Sequence, residues 1–301
     1  MNRSLNNLEI LNNFKGYCQI VGKTHHLQKL SVPNNYDPVC CEHFYPRAES
    51  ELIVIVGGGF QIDRLKKVTK DFDSEKNILV IPTLFGSGAE VSSVCVVNEN
   101  DKKIIYNNSK YLPEYYYYSS SFIETWNLEI IKNGIGDLLS HFYEGILSPL
   151  RKISHEDKIT EFYESSIRQI TKADLFSLYE ISNQANKIQL EASVGLIHSI
   201  AHIVEPKLIN VGHACICRNL LLPVMSYNLR SPIVKEKLMK FGISEKLVIE
   251  QCRSLFDKEQ YSTIYNTSKK HWSEILSDPF SKLNSSRVKT DAIKYLEQFL
   301  Q

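Results

Sequence analysis

The chain has 301 residues, with 35 Lys+Arg against 34 Asp+Glu, 43% hydrophobic and 23% charged. That length fills two compact domains or one large one of an ordinary soluble globular protein. A net charge of +1 gives no case for a nucleic-acid or membrane partner.

The N-terminal MNRSLNNLEILNNFKG is polar and lacks an apolar signal core, and no apolar run is long enough to cross a bilayer. A cytoplasmic address is expected. Tyr17 to Val21 reads as a short strand. Gly22 to Ser50, with His25-His26, Pro33, Asn34-Asn35 and Pro38, reads as loop. Leu52 to Val56 is a continuous β-branched apolar run, as a buried parallel strand requires. Gly57, Gly58 and Gly59 follow, then helical spacing from Phe60 to Lys70. Strand, glycine turn and helix N-terminus can cradle a phosphate, although a triple glycine alone is equally a tight β–α turn. Asn77 to Pro82 repeats the buried strand, and Thr83 to Val91 is a small, hydroxyl-rich loop of the kind that faces a cofactor.

Ser93 to Asn98 and Lys103 to Tyr106 predict a hairpin, and Tyr115 to Tyr118 a strand with alternating faces rather than a stacking platform for bases. From about Phe122 the pattern becomes helical, over Ile130–Leu147, His155–Thr171, Leu175–Val204, His213–Tyr227 and, after shorter pieces, Lys289–Leu300. The expected division is an α/β half over residues 1–125 and a helical half over 126–301.

The helical half carries the clearest chemistry. Asp137 and His141 stand at i and i+4, as do His198 and His202, and His213 follows a break containing Pro206 and Gly212. On a helix that spacing puts two side chains on one face. One carboxylate and several imidazoles suit Zn²⁺ or Fe²⁺ with a coordination position left open. Such an ion beside a nicotinamide lowers the pKa of an alcohol or polarises a carbonyl for hydride delivery. A crevice between the two halves is the expected location. The 7 cysteines are an odd number without an export signal, so reduced thiols are expected. Cys40-Cys41-x-His43 and Cys215-x-Cys217 lack a repeated C-x-x-C spacing and are read as background.

Four motifs carry a family resemblance: VGGGFQID at 56–63, IPTLFGSGAEV at 81–91, GIGDLLSHFYEGILSP at 134–149, and HSIAHIVEP…GHACICRNLLLPVM at 198–225. In this order they resemble the iron-containing (group III) alcohol dehydrogenases, within the dehydroquinate synthase-like superfamily. The resemblance implies an α/β N-terminal Rossmann-like domain plus an all-α C-terminal domain. It implies that Asp137, His141, His198 and His213 bind the metal, Fe²⁺ or Zn²⁺, and that His202 lies near substrate and cofactor as a catalytic group. Gly57, Gly58, Gly59 and Asp63 match the pyrophosphate turn and its helix, while Thr83 and Ser87 match the loop lining NAD or NADP. The implied activity interconverts an alcohol and an aldehyde or ketone, and a homodimer is one assembly the resemblance allows.

Departures stand beside these matches. Phe60 replaces a usual serine, Leu84, Phe85 and Ala89 replace small or hydroxyl residues, Ser119 stands where an Asp-Pro pair is common, and the segment ahead of Gly57 is short. Two other readings follow. One is a lyase or cyclase like dehydroquinate synthase, though that branch usually has glutamate at the first ligand position. The other is a metal-binding relative, poor in cofactor, that acts as a partner or tailoring component.

Overall fold

A computed structural model describes residues 3–4, 17–30, 36–100, 102–151 and 156–301. The chain divides into two compact units, residues 1–99 with 104–127, and residues 100–103 with 128–301. The strands are β1 (Arg3–Ser4), β2 (Tyr17–Gly22), β3 (Tyr36–Cys40), β4 (Ser50–Gly57), β5 (Asn77–Pro82), β6 (Val94–Glu99), β7 (Lys102–Asn107) and β8 (Tyr115–Tyr116). Between them lie α1 (Thr24–Leu27) and α2 (Gly59–Phe72), with α3 (Ser120–Ile123) after β8.

Among the described residues, six strands form one sheet in the order β1-β8-β5-β4-β2-β3, every neighbouring pair parallel, while β6 and β7 pair separately. The apolar run of β4 splits by its period of two. Leu52, Val54 and Val56 pack with Cys18, Ile20, Leu79, Ile81 and Phe122 on one face. Ile53 and Ile55 pack with Val21, Ile78, Val80 and the α2 residues Ile62 and Leu65 on the other. A strand covered on both faces has no solvent side, which is why its sequence reads as continuous rather than alternating. The chain passes from β2 outward to β3 at one edge, then returns to β4 on the opposite side of β2 and continues to β5. The order therefore reverses between β2 and β4, and the carboxyl ends of these two strands flank the crevice where doubly wound sheets bind ligands.

One buried cation ties α2 to the chain beyond β5. Lys66 is wholly buried, and its Nζ donates to the carbonyls of Ala89 at 2.8 Å, Ser92 at 3.0 Å and Val94 at 3.2 Å. Asp63 completes the arrangement, 3.1 Å from the Lys66 ammonium, and its carboxylate also accepts the Val96 N–H at 3.0 Å.

The second unit is helical. Its elements are α4 (Leu128–Leu147), α5 (Glu156–Ser165), α6 (Ser177–Leu190), α7 (Leu196–Val204), α8 (His213–Asn228), α9 (Pro232–Lys240), α10 (Glu245–Leu255), α11 (Lys258–Lys270), α12 (Trp272–Ser277), α13 (Pro279–Lys282) and α14 (Ala292–Glu297). Every residue of α4 from Gly134 to Leu147 is buried, so α4 is the central rod, with α6 and α8 packed along it. The approach of α8 is close: a Cβ added at Gly136 would stand 2.4 Å from the Arg218 Cβ and 2.6 Å from its Cα. Arg218 is itself buried, and its guanidinium donates to Glu129 at 2.5 Å and Asn133 at 2.9 Å on α4.

Several expectations are revised. The helix expected over Leu175–Val204 is broken into α6, which ends at Leu190, and α7, which starts after Gly195 in a non-helical conformation (φ −131°, ψ −139°) as its N-cap. The helix expected over His155–Thr171 is α5 followed by a tighter 3₁₀ segment at Ile167–Lys172, with a non-helical Gln169 inside it; His155 lies outside the described residues. The loop expected over Gly22–Ser50 contains α1 and β3. Pro38 is tolerated in β3 because that strand is the sheet edge, where a missing N–H breaks no ladder. Among the described residues no helix is long and apolar enough to cross a membrane.

Two stability measurements test these contacts. Lys66→Met strands Asp63 and three carbonyls in the core, and is expected to lower the unfolding free energy by about 3 kcal/mol in urea denaturation. A loss below about 1 kcal/mol would show that the lysine is not what holds this loop. At Gly136→Ala, up to ~1 kcal/mol of gained helix propensity opposes an overpacking cost of ~1–3 kcal/mol against the α8 backbone. Net destabilisation is expected, and a variant more stable than the parent would contradict the close approach.

Candidate metal centre

Three helices bring the site together. On α4, Asp137, His141 and Glu144 fall at i, i+4 and i+7 and so share the face turned toward α7 and α8. On α7, the hydrophobic positions lock a nine-residue helix in the core and carry His198 and His202 on adjacent turns. Gly212, in extended conformation, starts α8, so His213 is its first residue and Cys217 lies one turn further on the same face.

Asp137 and His198 are each 2% exposed and His141 is 7% exposed, too little for their polar atoms to be left to water. The Nε2 atoms of His141 and His198 are 2.9 Å apart. From Asp137 Oδ1 it is 4.0 Å to His141 Nδ1 and 3.9 Å to His213 Nε2. That Oδ1 is buried and has no hydrogen-bond partner. One donor atom each from Asp137, His198, His213 and Cys217 lies within 4.8 Å of the other three.

Outer groups fix the rings. The Glu144 carboxylate is 2.7 Å from His198 Nδ1, and its other oxygen accepts the Ile197 N–H at 2.6 Å. Glu205 stands 3.0 Å from His213 Nδ1 and is itself paired with Lys103, a residue of the same unit. In each case an acceptor at Nδ1 selects the tautomer protonated there, which leaves the Nε2 lone pair free to point inward.

The electrostatics match. Burial alone would raise the Asp137 carboxyl, but the imidazoles of His141, His213 and His198, with a smaller contribution from the Cys217 thiol, outweigh it and hold the group below the usual carboxylate range. Burial works the same way on Glu205, and hydrogen bonding and charge from His213 and Lys103 bring it down to about 2. Burial, and then the charges of His213 and Lys103, push His202 well below the ordinary histidine value, which keeps it neutral. Its ring lies 5.6 Å from that of His213, stacked at 27°, and 5.7 Å from Phe280.

The residues expected at a cofactor lie together in the first unit. Gly57 ends β4, and its carbonyl accepts the Thr83 N–H at 2.9 Å, which joins the turns that follow β4 and β5. A Cβ at Gly59 would meet Ser87 Oγ at 2.5 Å, so the absence of a side chain is what lets that hydroxyl reach the start of α2. No side chain caps α2 at Gly58, so its first N–H groups are open to an anion. Asp63, one turn along, pairs with Lys66 and accepts the Val96 N–H. Phe60 is 51% exposed and Leu84 is 43% exposed, and a Cβ at Gly58 would lie 3.4 Å from Leu84 Cδ1, so apolar side chains border this turn.

Four residues that the structure places at this cluster were absent from the sequence-based set: Glu144, Glu205, Lys103 and Cys217. Glu144 and Cys217 carried a local signal, since each falls one turn from a histidine on the same helix. Lys103 gave none, because it is far from Glu205 in sequence.

No family model matches the chain. Among curated proteins it is similar to the 1-propanol dehydrogenase PduQ of Citrobacter freundii, 25% identical over 208 residues, which covers 64% of this chain and 55% of that protein. It is similar to the PduQ of Salmonella typhimurium to the same degree, 26% over 201 residues, covering 61% and 53%. The chain thus spans about half the length of the curated relatives it matches. Among solved structures, an iron-containing alcohol dehydrogenase from Thermococcus thioreducens superposes with a TM-score of 0.78 at 16% identity, covering 100% of this chain and 98% of that one. A sulfoacetaldehyde reductase from Bifidobacterium kashiwanohense in complex with NAD⁺ gives 0.77 at 14% identity, covering 100% and 96%. The chain has the fold of the iron-containing alcohol dehydrogenases, the family that its sequence motifs resemble.

Proposed function

We propose that this chain is a metal-dependent, NAD(P)-linked oxidoreductase that interconverts a small alcohol and its aldehyde or ketone. The observation that carries the reading is Asp137 Oδ1, a buried carboxylate oxygen with no hydrogen-bond partner among three imidazoles. Such an atom costs about 1–3 kcal/mol or more if it is left unmet, and a divalent cation is the group that meets it. Asp137, His141, His198 and His213 would hold the ion, Fe²⁺ or Zn²⁺. When bound, the ion supplies Lewis acidity toward a substrate oxygen, and the nicotinamide supplies or takes the hydride.

The chain's own residues do the rest. Glu144 and Glu205 hold the His198 and His213 rings by their Nδ1 atoms, so neither ring needs to reorganise. His202, kept neutral beside His213, is able to accept a proton at a ring nitrogen and is the candidate to move the alcohol proton. Burial of Asp137, His141 and His198 keeps bulk water away from the inner face of the site. In the first unit, Gly57, Gly58 and Gly59 would let a pyrophosphate approach the start of α2, with the Ser87 hydroxyl beside it and Thr83 beginning the second lining loop. Asp63 would support that turn through Lys66 rather than touch the dinucleotide.

The exposed Phe60 and Leu84 at the turn favour a second reading, a metal-binding relative that holds dinucleotide weakly or not at all. The readings separate experimentally. Purified protein is expected to carry about one equivalent of Fe²⁺ or Zn²⁺ by elemental analysis, lost in Asp137→Ala and His198→Ala. Metal retained at full occupancy in the double variant would exclude these ligands. NADH or NADPH is expected to bind the metal-loaded protein saturably in a fluorescence titration, and Gly59→Val to weaken it about tenfold or more, a loss of at least ~1.4 kcal/mol. No saturable binding of either dinucleotide to metal-loaded protein would favour the second reading.

A further inference from the structure

We infer that Cys217 is a sulfur ligand of this metal centre, so that the tight donor set is Asp137, His198, His213 and Cys217. The inference rests on the metal-site reading above and revises one of its ligands, with Cys217 in the place given there to His141. These four donor atoms are the ones within 4.8 Å of one another; His141, 2.9 Å from His198 through their Nε2 atoms, stands outside that set of four. Cys217 Sγ lies 3.5 Å from His213 Nε2, and Asp137 Oδ1 lies 3.9 Å from the same nitrogen. Donors about 2.0–2.3 Å from a tetrahedral ion stand roughly 3.3–3.7 Å from each other, so the Cys217–His213 pair already has a ligand spacing.

A buried cysteine is ordinarily a small apolar side chain, and Cys217 is wholly buried. Two observations set it apart. It is one helical turn from His213, on the face of α8 that carries that ring. It also shares its surroundings with the unpartnered Asp137 Oδ1, an arrangement that an apolar packing role does not account for. The helix brings the other nearby thiol, Cys215, toward Gln260 and Asn219 instead.

The ligand is the thiolate. Binding M²⁺ displaces the Cys217 proton to solvent, and a metal–sulfur bond forms with no change of oxidation state. A sulfur donor beside two imidazoles and a carboxylate moves the site toward Zn²⁺, Co²⁺ and Cd²⁺ and away from a purely hard set.

Cobalt reports the ligand directly. The full-length apoprotein is titrated with Co²⁺ alone and followed by absorption. The expected result is visible d–d bands of a four- or five-coordinate ion together with a near-ultraviolet thiolate-to-cobalt charge-transfer band. That second band is expected to vanish in Cys217→Ser and Cys217→Ala, to persist in Cys215→Ala, and the Co²⁺ dissociation constant of the Cys217 variants to rise tenfold or more. Parent protein that shows d–d bands with no charge-transfer band overturns the inference and leaves the metal site standing. Survival of the band in Cys217→Ser overturns it equally. Parent protein that binds no cobalt at all overturns both this inference and the metal reading beneath it.

Discussion

A single buried carboxylate oxygen sets the terms for the helical unit. Asp137 sits in the long buried run of α4, where an ionised carboxyl is expensive, and it stays ionised because three imidazoles surround it. Those imidazoles come from three helices, so the helices must meet to within the length of a side chain. Gly136, the residue before Asp137, permits the approach of α8, and Arg218, buried against it, satisfies Glu129 and Asn133 at the start of α4. Packing and chemistry are therefore one constraint here. A wider α4–α8 spacing would take His213 out of reach of Asp137.

Around that centre, charge is arranged in layers. The inner layer consists of donors turned toward one point. The outer layer is carboxylates, Glu144 on His198 and Glu205 on His213, and outside Glu205 stands the Lys103 ammonium. Each outer carboxylate fixes the proton of a ring on its far side and raises the basicity of the inward nitrogen. His202 differs from these rings. It has no carboxylate partner among the described contacts, lies stacked on His213, and is kept neutral by burial and by neighbouring positive charge. One helix thus carries two histidines a turn apart, one held by a carboxylate and one kept neutral.

How much of this could be read from the sequence depended on range. The i, i+4 pairing of Asp137 with His141, and of His198 with His202, was legible because helix geometry makes it local. The apolar run of β4 was legible because burial on both faces erases alternation. The break between α6 and α7 was not: no proline interrupts the run from Leu175 to Val204, and Gly195 marks only where α7 resumes. β3 was hidden by Pro38, which only an edge strand accepts. Lys103 and Glu205 were invisible because their pairing is a tertiary contact. Cys217 stands in plain view one turn from His213, but a thiol that shares a helix face with a histidine leaves no C-x-x-C spacing to mark it. Asp63 carries a second kind of information: beside its motif match, its carboxylate pairs with Lys66 and accepts the Val96 N–H, tertiary contacts that no local pattern announces.

The central claim is that the histidine–aspartate cluster of the helical unit is a metal centre. An anomalous-difference map recorded at the absorption edge of the bound or soaked metal tests it most directly. The account predicts one dominant peak, at bonding distance from Asp137 Oδ1 and from the Nε2 atoms of His198 and His213. A dominant peak elsewhere, or an empty cluster in crystals grown with saturating Zn²⁺ or Fe²⁺, would contradict it.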